Sequence, residues 1–189
     1  MPNPTAVGAA VLVALSLLYP AFVYALKSVV PPHLFTGLAL LLIGLRVATL
    51  GSEAARIWRG PLVSAGIVIA VSAAVDGWIA AKIYPVALSV AAAYAFAISL
   101  WRPPSLIERL ARVGEPDMPA AGQSYCRMVT MIWTVWLAVN AAIAALLAVL
   151  ASEEAWALWT GLLAYVIMGV LFGGELLIRS RTLSRAVGA

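Results

Sequence analysis

Asn140 sits in the middle of an unbroken apolar run, residues 128–151, far from either end. Its amide has no water there, so it needs a partner on another segment or on a bound molecule. Arg46 lies four residues before the end of another such run, 33–50. Its long stem can carry the guanidinium back to the nearer membrane interface. Glu175 lies near the end of the last run, 155–178, with Arg179 four residues on, the favourable order for a helical ion pair. Strongly polar groups in lipid are costly, so each is a candidate for lipid or partner contact. Arg109 and Arg112, on a short polar connector, join that group as candidates for anionic lipid. Lys27, His33, Asp76, Lys82, Glu153 and Glu154 gather between the runs. No serine is spaced to make a hydrolase with His33 and Asp76, so no catalytic residue is assigned.

The scarcity of reactive residues narrows the chemistry further. Cys126 and His33 are the only residues of their kinds, so no disulfide can form within the chain. A zinc site of Cys and His would need about three or four ligands. The phosphate-loop, HExxH and GxSxG patterns are missing. No metal and no cofactor is expected.

These residues must be positioned by membrane helices. The chain has 189 residues, of which 64% are hydrophobic and 11% charged, with a mean hydropathy of +1.02. Soluble domains carry about 25% charged residues. A spanning helix needs about 20 apolar residues, and the apolar runs do not alternate as barrel strands would. The expected fold is all-α, a polytopic helical bundle of about six transmembrane helices in three hairpins. The spans fall at about 5–26, 33–50, 61–81, 83–101, 128–151 and 155–178. The third is the least regular, with an apolar part at 61–75 that extends through Asp76 and Gly77 toward Ala81. Residues 6–18 have the length of a signal-peptide core, but no Lys or Arg precedes them, so they read as the first span.

Orientation follows from the basic residues. Arg46, Arg56, Arg59, Arg102, Arg109, Arg112, Arg127, Arg179, Arg181 and Arg185 fall on one side, and only Lys27 and Lys82 on the other. The excess of cations marks the cytoplasmic side, which puts both termini inside. The net charge of +4 thus reads as orientation and anionic lipid rather than nucleic acid.

The connector 102–127 is the one sizeable loop. Ser105-Leu106-Ile107-Glu108 spells a capping box. Leu106, Ile107, Leu110 and Val113 recur at helical spacing beside Arg109 and Arg112, an amphipathic helix for the cytoplasmic interface. In the last span Gly169 and Gly173 make a GxxxG, which lets another backbone approach closely and suits a homodimer. Trp58, Trp78, Trp101, Trp156 and Trp159 fall near span ends, as interfacial belts require. Trp133 and Trp136 lie deeper, between helices.

The order Pro104-Ser105-Leu106-Ile107-Glu108-Arg109, Tyr125-Cys126-Arg127, Trp133, Asn140, Glu154-Ala155-Trp156 resembles the small bacterial inner-membrane proteins called intracellular septation protein A. It resembles more closely an uncharacterised branch encoded beside fatty-acid-synthase-like genes for aryl polyene lipids. One stretch departs from the septation pattern, which carries Asn and Lys after the Trp of the last outer turn. Here the residues are Trp156-Ala157-Leu158-Trp159-Thr160, so functions resting on those polar groups are not implied. The resemblance implies cell-envelope or acyl-lipid biogenesis in the inner membrane, with lipids and membrane proteins of that process as partners. The leading expectation is a non-enzymatic lipid- or partner-binding factor. A small transporter or flippase would instead need a polar cavity leading from Asn140 to one interface. A membrane acyl- or lipid-modifying enzyme would need convergent His, Asp or Glu within the spans, and no such pair is present.

Overall fold

The computed structural model describes residues 4–187, and side chains at 7–8, 10–51 and 53–177. Among the described residues every regular element is helical. In chain order they are α1 (Pro4–Leu26), α2 (Pro32–Thr49), α3 (Ser52–Val75), α4 (Gly77–Trp101), α5 (Leu106–Ala111), α6 (Ala120–Leu150) and α7 (Glu153–Leu158). A π turn (Trp159–Leu163) then leads without a break into α8 (Ala164–Val187). Five described stretches are long and apolar enough to cross a membrane: Pro32–Thr49, Glu53–Val75, Gly77–Trp101, Ala120–Leu150 and Glu153–Leu177. The described apolar part of α1, Ala10–Leu26, is shorter.

Polarity is inverted relative to a soluble domain. Leu41, Ile67, Val71, Leu146 and Val170 are exposed, while Ser16, Thr36, Ser99, Thr130, Asn140 and Thr160 are buried. An apolar exterior of this extent has no stable home in water. In lipid it costs nothing, and the polar groups find each other inside. The fold is that of a helical membrane protein.

α4 is the centre of the bundle, packed against α1, α2, α3, α5 and α6. Small residues permit this crowding. Ala87 and Ala91 meet Ala65 of α3 across one side of α4, and Leu88 and Ala92 meet Leu137 and Ala144 of α6 across another. At one end of the bundle α2 and α4 nearly touch: a Cβ on Gly77 would stand 3.1 Å from Pro32 Cγ. α8 leaves an apolar groove of about 510 Å³ against α6, lined by Met131, Val135, Trp136, Ile167 and Leu171 among others.

Several boundaries differ from the sequence reading. The first two helices match it within a residue. The stretch 61–81 is not one helix. α3 begins at Ser52, runs through Pro61, and stops at Val75. Asp76 is then the whole connection to α4, inside the stretch 61–81 expected to be the third span. Its carboxylate accepts from the backbone N–H groups of Trp78 (2.7 Å) and Ile79 (2.9 Å), capping α4 six residues before the expected start at Ile83. α6 likewise starts at Ala120 rather than 128.

The connector 102–127 is docked rather than floating. The N-terminal N–H groups of α5 are taken by both neighbours. Leu106 N–H donates to Ser99 Oγ of α4 (2.9 Å), and Ile107 N–H to Thr130 Oγ1 of α6 (3.4 Å). The Glu108 carboxylate accepts from the Ser105 N–H at 3.3 Å, the return arm of the capping box. Leu106 and Glu108 of α5 are buried, and Leu110 and, just beyond α5, Val113 are exposed.

Candidate functional site

Two Tyr-Pro pairs build the interior. Tyr19-Pro20 lies in α1 and Tyr84-Pro85 in α4. Proline lacks an N–H, so Pro85 leaves the Ala81 carbonyl without its helical donor. The Tyr19 hydroxyl supplies that donor from across the interface, 2.8 Å from Ala81 O. It also lies 3.2 Å from Phe35 O of α2. The two tyrosine rings pack at 4.5 Å between centroids. Tyr84 reaches back to Ser16, four residues before Pro20, with 2.8 Å between the hydroxyls. Tyr19 thus serves a carbonyl that a proline frees, whereas Tyr84 meets a side-chain hydroxyl.

Arg46 completes this cluster. Its Nη2 donates to Ser16 Oγ at 2.8 Å. The Ser16 hydroxyl gives its single proton to Leu12 O at 2.8 Å. Both lone pairs therefore accept, one from Arg46 and one from Tyr84. The expected return of Arg46 to the nearer interface is not what occurs. Helical side chains lean toward their own N-terminus, which carries this guanidinium inward. Ser16 is ten residues before the end of α1, about 15 Å at the helical rise. No ion pair reaches Arg46 among the described residues, and its Nε is buried without a partner.

Asn140 ties a second set of helices. Its Nδ2 donates to Ser89 Oγ of α4 (3.0 Å), and its Oδ1 accepts from Trp159 Nε1 on the π turn (3.0 Å). Such bonds contribute on average about 0.6 kcal/mol each in a membrane bundle. Trp159 and Trp156 are not a surface belt: Trp156 is fully buried and Trp159 is held inward by the amide. The π turn widens the helix by one residue per turn, and it packs against α1, with Gly161 beside Pro20.

Between these two clusters lies a cavity of about 170 Å³. Ser16, Tyr84, Ser89, Asn140, Thr160 and Tyr165 supply its polar wall, and Leu88, Leu137, Ala144 and Met168 its apolar one. The cavity joins Asn140 to the partners of Arg46. The other sequence candidates lie apart from it. Arg109 donates to Pro104 O (2.8 Å) and Arg102 O (3.2 Å). Arg112 grips Glu108 through Nε (3.0 Å) and Nη2 (2.7 Å). Both arginines hold the connector's shape. Glu175 is half-buried on α8, and its pairing with Arg179 falls outside the described side chains. A Cβ added at Gly169 or Gly173 would meet nothing within 4 Å among the described residues.

Of the polar residues between the runs, Lys27, Lys82, Glu153 and Glu154 meet at one end of the bundle. Lys27 pairs with Glu153, Glu154 stands 3.9 Å from Lys27, and Lys82 lies 3.7 Å from Glu153. Asp76 is spent as a cap, and His33 is exposed. The hydrogen bond to Glu153 holds the Lys27 ammonium above the ordinary lysine range, aided by the charges of Glu153 and Glu154. A raised lysine pKa gives stability that is complete below the unfolded value and is lost as pH rises through the folded one. Melting temperatures of the protein and of Lys27→Met should therefore differ by a constant amount at neutral pH and converge in strong alkali. A gap that persists there would assign the effect to packing on Tyr24, whose ring lies 4.9 Å from Nζ.

Comparison with family profiles, curated proteins and solved structures returns no match for this chain. The fold and the site define its class, a helical membrane protein with a mostly apolar, partly open cavity between its helices.

Proposed function

We propose that this protein is a non-enzymatic factor of the bacterial inner membrane that binds lipid or acyl intermediates during envelope or acyl-lipid biogenesis. The observation that carries the reading is the cavity between α1, α4, α6 and the π turn. Its polar wall is made of hydroxyls and one amide, and its other wall is apolar. That pairing suits an amphiphile, whereas a reacting site needs an acid, base or nucleophile of shifted reactivity. The chain crosses the membrane six times, with α1 as the first span and both termini cytoplasmic. The grouping of Lys27, Lys82 and Glu153 at one end supports that even count. The resemblance to septation-type proteins and to the aryl-polyene-associated branch points to the same process. Envelope-biogenesis membrane proteins are the partners it implies, and the open Gly169–Gly173 face suits a homodimer.

Native mass spectrometry in mild detergent tests this, with lipid extraction alongside. A specific lipid or acyl product should co-purify, and Asn140→Leu should diminish it. Bulk phospholipid in membrane proportions would instead leave a scaffold acting through protein partners. A second reading, a small flippase or transporter, draws on the polar path from Asn140 through Ser89, Tyr84 and Ser16 to Arg46.

A further inference from the structure

We propose that Arg46 seats the anionic head of a single-chain amphiphile whose tail enters the cavity between α4, α6 and the π turn. The inference rests on the lipid-binding reading and adds the ligand's charge, its chain number and its seat.

Among the described residues no carboxylate pairs with Arg46. The described carboxylates with assigned contacts are committed at the ends of helices. Glu53 stands 3.9 Å from Arg56, Asp76 caps α4, Glu108 holds Arg112, and Glu153 is shared by Lys27 and Lys82. A guanidinium offers five N–H donors in a planar fork. Arg46 donates to Ser16 and also interacts with the Tyr84 hydroxyl, while its Nε–H is buried without an acceptor. Ser16 has no capacity left, since its proton goes to Leu12 and both lone pairs are taken. Neutral partners orient the guanidinium but do not cancel its charge. A carboxylate or a phosphate would do both, accepting in parallel from two N–H groups.

Position then selects the rest of the ligand. Ser16 and Tyr84 face Arg46 on one side and line the cavity on the other. Beyond them the wall is Leu88, Leu137, Ala144 and Met168. The cavity measures about 170 Å³, and one acyl chain is the smallest lipid tail to set against it.

The test uses full-length protein in dodecyl maltoside with palmitate, lysophosphatidic acid and hexadecanol as probes, read by native mass spectrometry. Arg46→Gln should bind both anionic probes about tenfold more weakly, the loss of a charge-assisted hydrogen bond, with hexadecanol unchanged. Arg46→Lys should recover part of that affinity as a point charge. Melting curves for both variants show that the bundle persists, and Arg46→Lys carries the test if the glutamine variant fails to fold. Stronger arginine-dependent binding of palmitate names a carboxylate head, and of lysophosphatidic acid a phosphate head. Equal binding of palmitate and hexadecanol by the unaltered protein would overturn the Arg46 assignment while leaving lipid binding standing. Failure of every probe to bind, with no co-purifying lipid, would overturn both.

Discussion

Trp156→Ala is expected to be the most damaging single substitution in this protein, at about 3–5 kcal/mol, the range for emptying a buried aromatic site. Trp156 has no solvent exposure and belongs to the main core with Tyr19, Val23 and Tyr84. Its indole nitrogen has no hydrogen-bond partner. The loss is therefore one of volume and contact, and Trp156→Phe should cost well under half as much. Unfolding of both variants in mixed micelles, with rising SDS, gives the comparison. A Phe variant as weak as the Ala variant would mean that the indole N–H has a partner in lipid. The cavity left by alanine would open beside Lys27, Lys82 and Glu153, so the ion cluster should loosen with it.

The second large effect is a coupling. Tyr19→Phe removes the donor that serves Ala81 O and Phe35 O. Leaving a buried carbonyl unserved costs about 1–3 kcal/mol. Pro85→Ala restores a backbone N–H four residues after Ala81, so the helix can then satisfy that carbonyl itself. The cost of Tyr19→Phe should accordingly fall by about 1 kcal/mol in the Pro85→Ala background. A double-mutant cycle of unfolding free energies measures this directly. Additive costs would show that the Tyr19 hydroxyl is held for the sake of Phe35, and that the proline is incidental. In that case the tyrosine ring contact at 4.5 Å is the main tie between α1 and α4.

How far the sequence disclosed all this differs from residue to residue. Composition alone required a helical bundle in lipid, because a chain with so few charges cannot clothe itself for water. The places where it misled are prolines. Pro61 reads as the start of a helix, as it would be in a soluble protein, and Pro85 falls near the start of the fourth span with nothing to mark the carbonyl it frees. In a membrane bundle the freed carbonyl finds another donor, so proline does not end the helix. Ser16 was hidden for a related reason. A serine bonded to the carbonyl four residues back looks apolar from outside its helix, and nothing in its neighbours marks it. The repeated Tyr-Pro dipeptide was the available signal, since each pair points at the other. For Arg46 the decisive fact was direction: the side chain leans toward the N-terminus of α2, away from the nearer interface. Asn140 was legible because an amide deep in an apolar run has few options. Which two helices would answer it depended on the π turn, and the sequence does not announce a π turn.

The single-residue connection at Asp76 has a mechanical meaning. With its only joint occupied in capping α4, and with α3 laid along α4 for much of its length, this pair has no slack and moves as one beam. α1 is tethered differently, through the five-residue link 27–31 and through a tyrosine hydroxyl. α8 hangs from a π turn and leaves a groove against its neighbour. The central hairpin is thus the most tightly joined part of the bundle, the beam to which the first and last helices are attached through longer or looser joints.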